Sequence, residues 1–314
     1  MPIPSIHTRS ASELEKISCK HLDWLNKNIS HFSIWCKNDL QHHHIKRLSE
    51  LLFTCIYIEQ WEKDLPFLAS IKHSDLWKEF AVNMIEREDY FNIVHNQSAN
   101  AFTYFIPYLC LRTMGYRSDD WEDLLTYNIQ SSIIPTPEVS PYRILEQWHL
   151  LWRAGVLQNE PNWENLTTPT LLAQHWNAAW IDIDGAYAIT HTIFYLTDMG
   201  NWGLQYNEKK KQIKSLIESL LVRYLRKQHW DLVGELLLNL DVIQAGDSAI
   251  QANAEHIFYR NMRDDGAIPA DDIGAQEMQN CPEEEMDKVF FRVCYHSTLV
   301  SLLRSFTRLR RLYS

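Results

Sequence analysis

Some stretches of this 314-residue chain are apolar and aromatic on every side of a helical wheel, and no other feature limits its fold as sharply. Residues 102–108 (FTYFIPY) and 186–195 (AYAITHTIFY) are the clearest examples. A helix with no polar face has to be covered all round. Other stretches, such as 207–214 (NEKKKQIK), carry the charge that an outer layer needs. Apolar residues recur at three- and four-residue spacing from Leu22 to Trp35, Ile45 to Ile58, Trp77 to Val94, Ala101 to Met114 and Lys209 to Leu225, which predicts helices there. The chain has only nine glycines, too few for many strands joined by tight turns.

One plan repeats: an aromatic-rich helix, a polar break that often holds glycine, then a second helix. Gly115, Gly155 and Gly200 mark such breaks and lie 40 and 45 residues apart. Helical repeats of roughly 40–47 residues form a known class, and about six hairpins fit this length. Buried first helices suit the inner wall of a closed ring, and charged second helices suit its outside. An open stack would expose one face of each hairpin instead. The sequence therefore predicts an all-α fold, repeated helical hairpins closed into an α/α toroid. It is expected to be a single domain over residues 13–314 behind a loose start at 1–12.

Composition narrows the function. The net charge of −10 argues against a nucleic-acid partner. The arginines at 304, 308 and 311 are a local exception and read as a solvated helix face. Six scattered cysteines and no leader sequence predict reduced thiols in a cytoplasmic protein. No run approaches the ~18 apolar residues of a membrane span. Twelve Trp and fourteen Tyr need cover, and their N–H and O–H groups need partners. A cavity walled by aromatics meets both needs, and so does a large core.

Segment 180–200 is the richest in chemistry. Asp184, His191 and Asp198 are seven apart, so on an unbroken helix they form one column, with Tyr187 and Tyr195 beside it. In the functional reading, His191 is an acid–base or a metal ligand, Asp198 its orienting carboxylate, and Asp184, Tyr187 and Tyr195 contact substrate. In the bland reading, Asp184 caps the helix, Asp198 closes it and His191 is a bonded core residue. Residues 290–300 (FFRVCYHSTLV) open the last inner helix. There Tyr295 and His296 offer a second acid or a hydrogen-bond donor, and Thr298 shares a face with Tyr295. Zinc on Cys281, Cys294 and His296 has suitable ligand types, but Cys294 and His296 diverge on a helix.

Other polar groups stand near the starts of inner helices: Arg143, His149, His229, Asp231 and Glu235, with Trp148 beside His149. Parallel inner helices would gather them at one mouth, where Arg143 could hold a substrate anion or form a surface ion pair. The tract His42, His43, His44 splays around a helix and reads as a solvated start. The acids from Asp119 to Asp123 read as complements to a helix dipole. Phosphate loops, nucleophile elbows and His-Glu-x-x-His are absent from the sequence.

The aromatic hairpin plan resembles the α/α toroids of terpene cyclases, lanthionine synthetases and some glycan lyases. Segments 184–198 (DGAYAITHTIFYLTD) and 295–300 (YHSTLV) are also similar to motifs of an uncharacterised bacterial family of this size. That resemblance implies that His191, Asp198 and His296 act together. Lanthionine synthetases hold zinc with an adjacent Cys-His pair, whereas here Tyr295 separates Cys294 from His296, and no class II cyclase aspartate triad is present.

Two functions follow. One is a biosynthetic enzyme of lyase or isomerase (cyclase) type, doing acid–base chemistry on a small molecule or modified peptide in an aromatic-lined cavity. The other is a helical-repeat scaffold for a peptide or partner protein. They separate on whether His191 and His296 converge. No cofactor is expected, a divalent metal stays open, and so does a homo-oligomer.

Overall fold

A computed structural model describes residues 9–37, 39–70, 73–96, 101–136, 138–174, 177–204 and 209–314. Among them the structure is all-helical apart from one antiparallel pair of two-residue strands, β1 (Trp35–Cys36) and β2 (Asp39–Leu40). No described helix is long and apolar enough to cross a membrane. The chain divides into two compact units: a middle unit, Ile29–Ala173, and a terminal unit made of Met1–Asn28 and Gln174–Ser314.

The terminal unit opens with α1 (Ala11–Lys27), which takes in the last two residues of the stretch expected to be loose. Ser10 and Glu13 form a reciprocal capping box there, which satisfies backbone N–H groups that a helix start leaves bare. After the middle unit come α9 (Ile183–Thr197), α10 (Lys210–Arg226), α11 (Trp230–Val242), α12 (Ala249–Tyr259), α13 (Asp272–Asn280) and α14 (Met286–Tyr313).

Contacts fix how these helices run. Tyr187 meets Asp231 and Thr190 meets Glu235, so α9 and α11 are parallel. His296 meets Asp231 and Arg308 meets Asp241, so α11 and α14 are parallel too. α1 runs antiparallel along α14, pairing His21 with Ser301 and Glu15 with Tyr313. Every residue of α11 is buried, as its near-absence of a polar face requires.

The middle unit holds α2 (His44–Trp61), α3 (His73–Ile85), α4 (Glu88–His95), α5 (Ala101–Thr113), α6 (Asp119–Gln130), α7 (Pro141–Arg153) and α8 (Trp163–Thr167). Its core is aromatic. Trp121, 1% exposed, stacks on Tyr108 at 5.2 Å and meets Tyr90 and Phe105 in tilted and edge contacts. Burying each such ring contributes about 1.5–3 kcal/mol, with up to ~1.5 more per well-placed ring pair. α5 and α7 end together, where Arg112 donates to the Ala154 carbonyl. Each also stops in the same way. Gly115 (φ 88°) and Gly155 (φ 67°) take left-handed backbone, and the next residues, Tyr116 and Val156, bond back to Leu111 and Leu151.

Two helix boundaries differ from the sequence expectation. The run from Leu22 to Trp35 stops at Asn28, whose backbone and side-chain N–H groups both return to the Trp24 carbonyl. Asn28 competes locally for helix-end carbonyls, which periodicity does not register. The run from Trp77 to Val94 breaks between α3 and α4, where Arg87 adopts extended backbone and lays its guanidinium 3.8 Å from the Trp35 ring centre. That is a tertiary contact overriding helix propensity.

Candidate functional site

Four side chains from three parallel helices meet in the terminal unit. α9 brings His191, α11 brings Asp231 and Glu235, and α14 brings His296. Asp231 and Glu235 are four apart, so they share one face of α11. That face points at both neighbours. His296 Nδ1 lies 2.6 Å from Asp231 Oδ1, and its Nε2 lies 3.8 Å from Glu235 Oε1. His191 Nδ1 lies 3.6 Å from the other Glu235 oxygen, Oε2. The two imidazoles thus approach one carboxylate, each through a different oxygen.

The surrounding hydrogen bonds hold every member in place. The Asp231 carboxylate accepts from Tyr187 Oη at 2.6 Å and from Ser297 Oγ at 3.1 Å as well as from His296. Its backbone N–H donates to the Ala270 carbonyl at 2.8 Å. Thr190 Oγ1 donates to Glu235. The Tyr187 carbonyl lies 2.8 Å from His191 Nδ1, and a carbonyl can only accept, so that nitrogen carries the proton. Neutral His191 then has its lone pair on Nε2.

Burial alone would raise the Asp231 carboxyl. The charge and hydrogen bond of His296, then the Tyr187 hydroxyl, outweigh it and hold this acid far below the usual carboxylate range. Burial and the nearby Asp231 and Glu235 push the Tyr187 hydroxyl well above its ordinary value, so it stays a donor. The imidazoles keep a path to solvent, with side chains 22% (His191) and 20% (His296) exposed, while Glu235 is 1% exposed. Rings surround them. Tyr187, Phe194 and Tyr195 stand 6.1, 5.9 and 6.3 Å from His191, and Tyr295 stands 6.1 Å from His296.

The other residues singled out in the sequence fall elsewhere. The column expected through Asp184, His191 and Asp198 does not run its full length. α9 turns left-handed at Asp198 (φ 44°), followed by Met199 (φ 54°) and Gly200 (φ 90°), and the buried Asp198 carboxylate accepts from Asn201. Asp184 sits exposed in the first turn of α9, and it is Asp182 that caps the helix, accepting from Gly185 N at 2.8 Å. Thr298 is buried and bonded to the backbone, donating to the Cys294 carbonyl and accepting from Ile268 N. Tyr295 stacks on Phe291 at 5.3 Å.

The zinc trio of Cys281, Cys294 and His296 is not assembled. Cys294 is buried against the Met278 sulfur at 3.6 Å, and Cys281 donates to the Met278 carbonyl. Arg143, Trp148 and His149 belong to α7 of the middle unit. Arg143 pairs with Glu146 at 2.7 Å, and the buried His149 lies 6.3 Å from the Trp163 ring.

Asp231 and Glu235 carry more of this geometry than the sequence reading gave them. The signal was present. Asp231, Glu235 and Asn239 recur every four residues in a helix that is otherwise almost wholly apolar (WDLVGELLLNLDV).

These features define a class: an all-helical protein with a part-buried histidine–carboxylate site among parallel helices. The chain belongs to the DUF6895 family, described as a domain of unknown function, whose profile matches residues 18–306. No curated protein and no solved structure matches the chain.

Proposed function

We propose that the terminal unit houses an enzyme active site for proton-transfer chemistry on a small molecule or modified peptide, of the cyclisation, isomerisation or elimination type. The proton is exchanged in the space bounded by His191, Glu235 and His296. What supports this over a peptide-binding scaffold is one observation: His191 and His296, 105 positions apart in sequence, both approach the buried Glu235, at 3.6 and 3.8 Å. Recognition surfaces have no need to bury a carboxylate between two imidazoles, because such burial is costly unless the groups are networked or used.

Asp231 holds His296 by Nδ1 and so fixes the ring, leaving Nε2 toward Glu235. Tyr187 and Ser297 hold Asp231 in turn. The aromatic rings near His191 can stabilise a cationic centre on the substrate. The α/α ring expected from the sequence is part of the same proposal. Its support is that the terminal unit builds its core from α9, α11 and α14 running parallel, as inner helices of a ring do.

Untargeted mass spectrometry tests the function. Purified protein is incubated with a metabolite extract, and ions that fall and rise together are followed over time. A substrate–product pair of equal mass, or one differing by a small leaving group, is expected with wild-type protein. It should drop at least ~100-fold with His296→Gln, as for loss of a positioned acid or base. The proposal fails if no ion changes, or if the change survives both His296→Gln and Glu235→Gln.

A further inference from the structure

We propose that Glu235 and His296, the latter held by Asp231, bind a divalent transition-metal ion of the zinc class, with water completing its coordination. The inference rests on the reading above for the location of the chemistry, and it changes what carries the proton: a water on the ion.

Several groups here could ligate, and distances decide between them. Among the described residues, Asp231, Glu235 and His296 can each place one donor atom within 4.8 Å of the others. Donors held ~2.1 Å from a tetrahedral ion lie about 3.4 Å apart. His296 Nε2 and Glu235 Oε1 are 3.8 Å apart, a few tenths of an ångström from that value. His296 Nδ1 and Asp231 Oδ1 are 2.6 Å apart, which is hydrogen-bond distance and too close for two such ligands. The ion therefore belongs on the Nε2 side, and Asp231 acts through His296.

The imidazoles carry the outer-shell arrangement that metal-ligating histidines use. Such a ring donates its second N–H to a carboxylate or a backbone carbonyl, which fixes the tautomer and raises ligand basicity. His296 does so to Asp231 at 2.6 Å, and His191 does so to the Tyr187 carbonyl at 2.8 Å. His296 thereby offers Nε2 toward Glu235. The His191 nitrogen 3.6 Å from Glu235 is Nδ1, which donates to the Tyr187 carbonyl, so this ring borders the site without ligating the ion. Thr190, bonded to Glu235, orients the carboxylate in the same way. An imidazole beside a carboxylate suits zinc or a neighbouring first-row ion better than magnesium or calcium, which prefer oxygen alone. The part-exposed imidazoles leave room for water, as a catalytic rather than a structural site requires.

Bound water on such an ion loses its proton near neutral pH, far below bulk water. A metal hydroxide would accept a proton from the substrate and return it as water, so charge and atoms balance with no further reactant.

Cobalt(II) titration of the full chain, freed of metal by chelation and dialysis, provides the test. One equivalent is expected to bind and give a visible d–d band, which zinc abolishes by competition. Elemental analysis should then find one zinc per chain. His296→Gln and Glu235→Gln should each weaken binding at least ~10-fold, and Asp231→Asn about 10–100-fold through His296. Cys294→Ser should leave it unchanged. Circular dichroism melts identify any variant that fails to fold, and for such a variant His296→Cys, which keeps a metal donor, should retain binding. Absence of the band with wild-type protein, or binding untouched in the folded His296 and Glu235 variants, overturns the proposal. A chain that binds no metal yet converts a substrate through His296 sinks the metal alone. A chain that binds metal and converts nothing sinks the enzymatic reading alone.

Discussion

α11 and α14 lie side by side and carry a polar cluster at each end of their contact, and the two clusters have been built from different cations. At the far end, Arg304 sits fully buried between Asp241 (3.0 Å) and Glu255 (2.9 Å), and Arg308 bridges Asp241 to Asp247. Gln251 donates to Asp241 as well, and the Arg304 guanidinium lies 5.7 Å from the Tyr259 ring centre. At the near end, imidazoles take the place of guanidinium groups. A guanidinium keeps its charge at any physiological pH and offers only donors, so it can lock a core but cannot exchange a proton or bind a cation. An imidazole can do both. Exposure differs in the same sense: Arg304 has none, while His191 and His296 keep about a fifth. Burial of charge alone therefore does not mark a functional site in this protein. Burial of carboxylates beside part-open imidazoles is what supports the proposed site.

The largest effect that tests this contrast is on stability. Arg304→Met leaves Asp241 and Glu255 buried without their main cation, and should cost about 3–5 kcal/mol in urea unfolding. A loss under ~1 kcal/mol would mean that the arginine cluster is not the structural one. Between the two clusters on α14 lies a third solution, a buried imidazole left neutral. His21 is fully buried, bonded to the Gly266 carbonyl and to Ser301, and burial lowers its pKa to about 4. Its folded value lies below the unfolded 6.5, so the unfolded chain binds more protons as pH falls. Stability should fall from pH 6.5 down to about 4 by about 3 kcal/mol from this residue. Unfolding curves at pH 7 and pH 4 should show that share missing in His21→Gln. An equal pH slope in the variant would contradict it.

Smaller effects sharpen the imidazole end. Asp182→Ala removes the cap of α9 and should cost about 1 kcal/mol, whereas the exposed Asp184→Ala should stay within about 0.5. The reverse order in thermal melts would restore Asp184 as the cap. Glu235→Gln keeps the shape that Thr190 and the two imidazoles meet and removes one of two neighbouring negative charges. Without added metal it should move stability by less than ~1 kcal/mol, in contrast to Arg304→Met. A loss as large as that of Arg304→Met would make the near cluster structural too.

The pattern of residues along the chain determined a good deal by itself. Helices without a polar face were readable because burial on all sides needs no partner to be named. The glycine stops at 115 and 155 were readable because left-handed backbone favours that residue whatever surrounds it. His191 and His296 stood out as imidazoles inside apolar segments, where a polar group has a cost. Their partners were not legible. Asp198, seven residues on, was the natural choice for His191, and a left-handed turn at its own position removes it from the stripe. Arg304 and Arg308 read as a solvated face, because spacing along α14 cannot say that Asp241 and Glu255 come to meet them. Local spacing reports what one helix presents. Only the parallel packing of α9, α11 and α14 decided which carboxylate faces which cation, because that depends on the register between helices far apart in sequence.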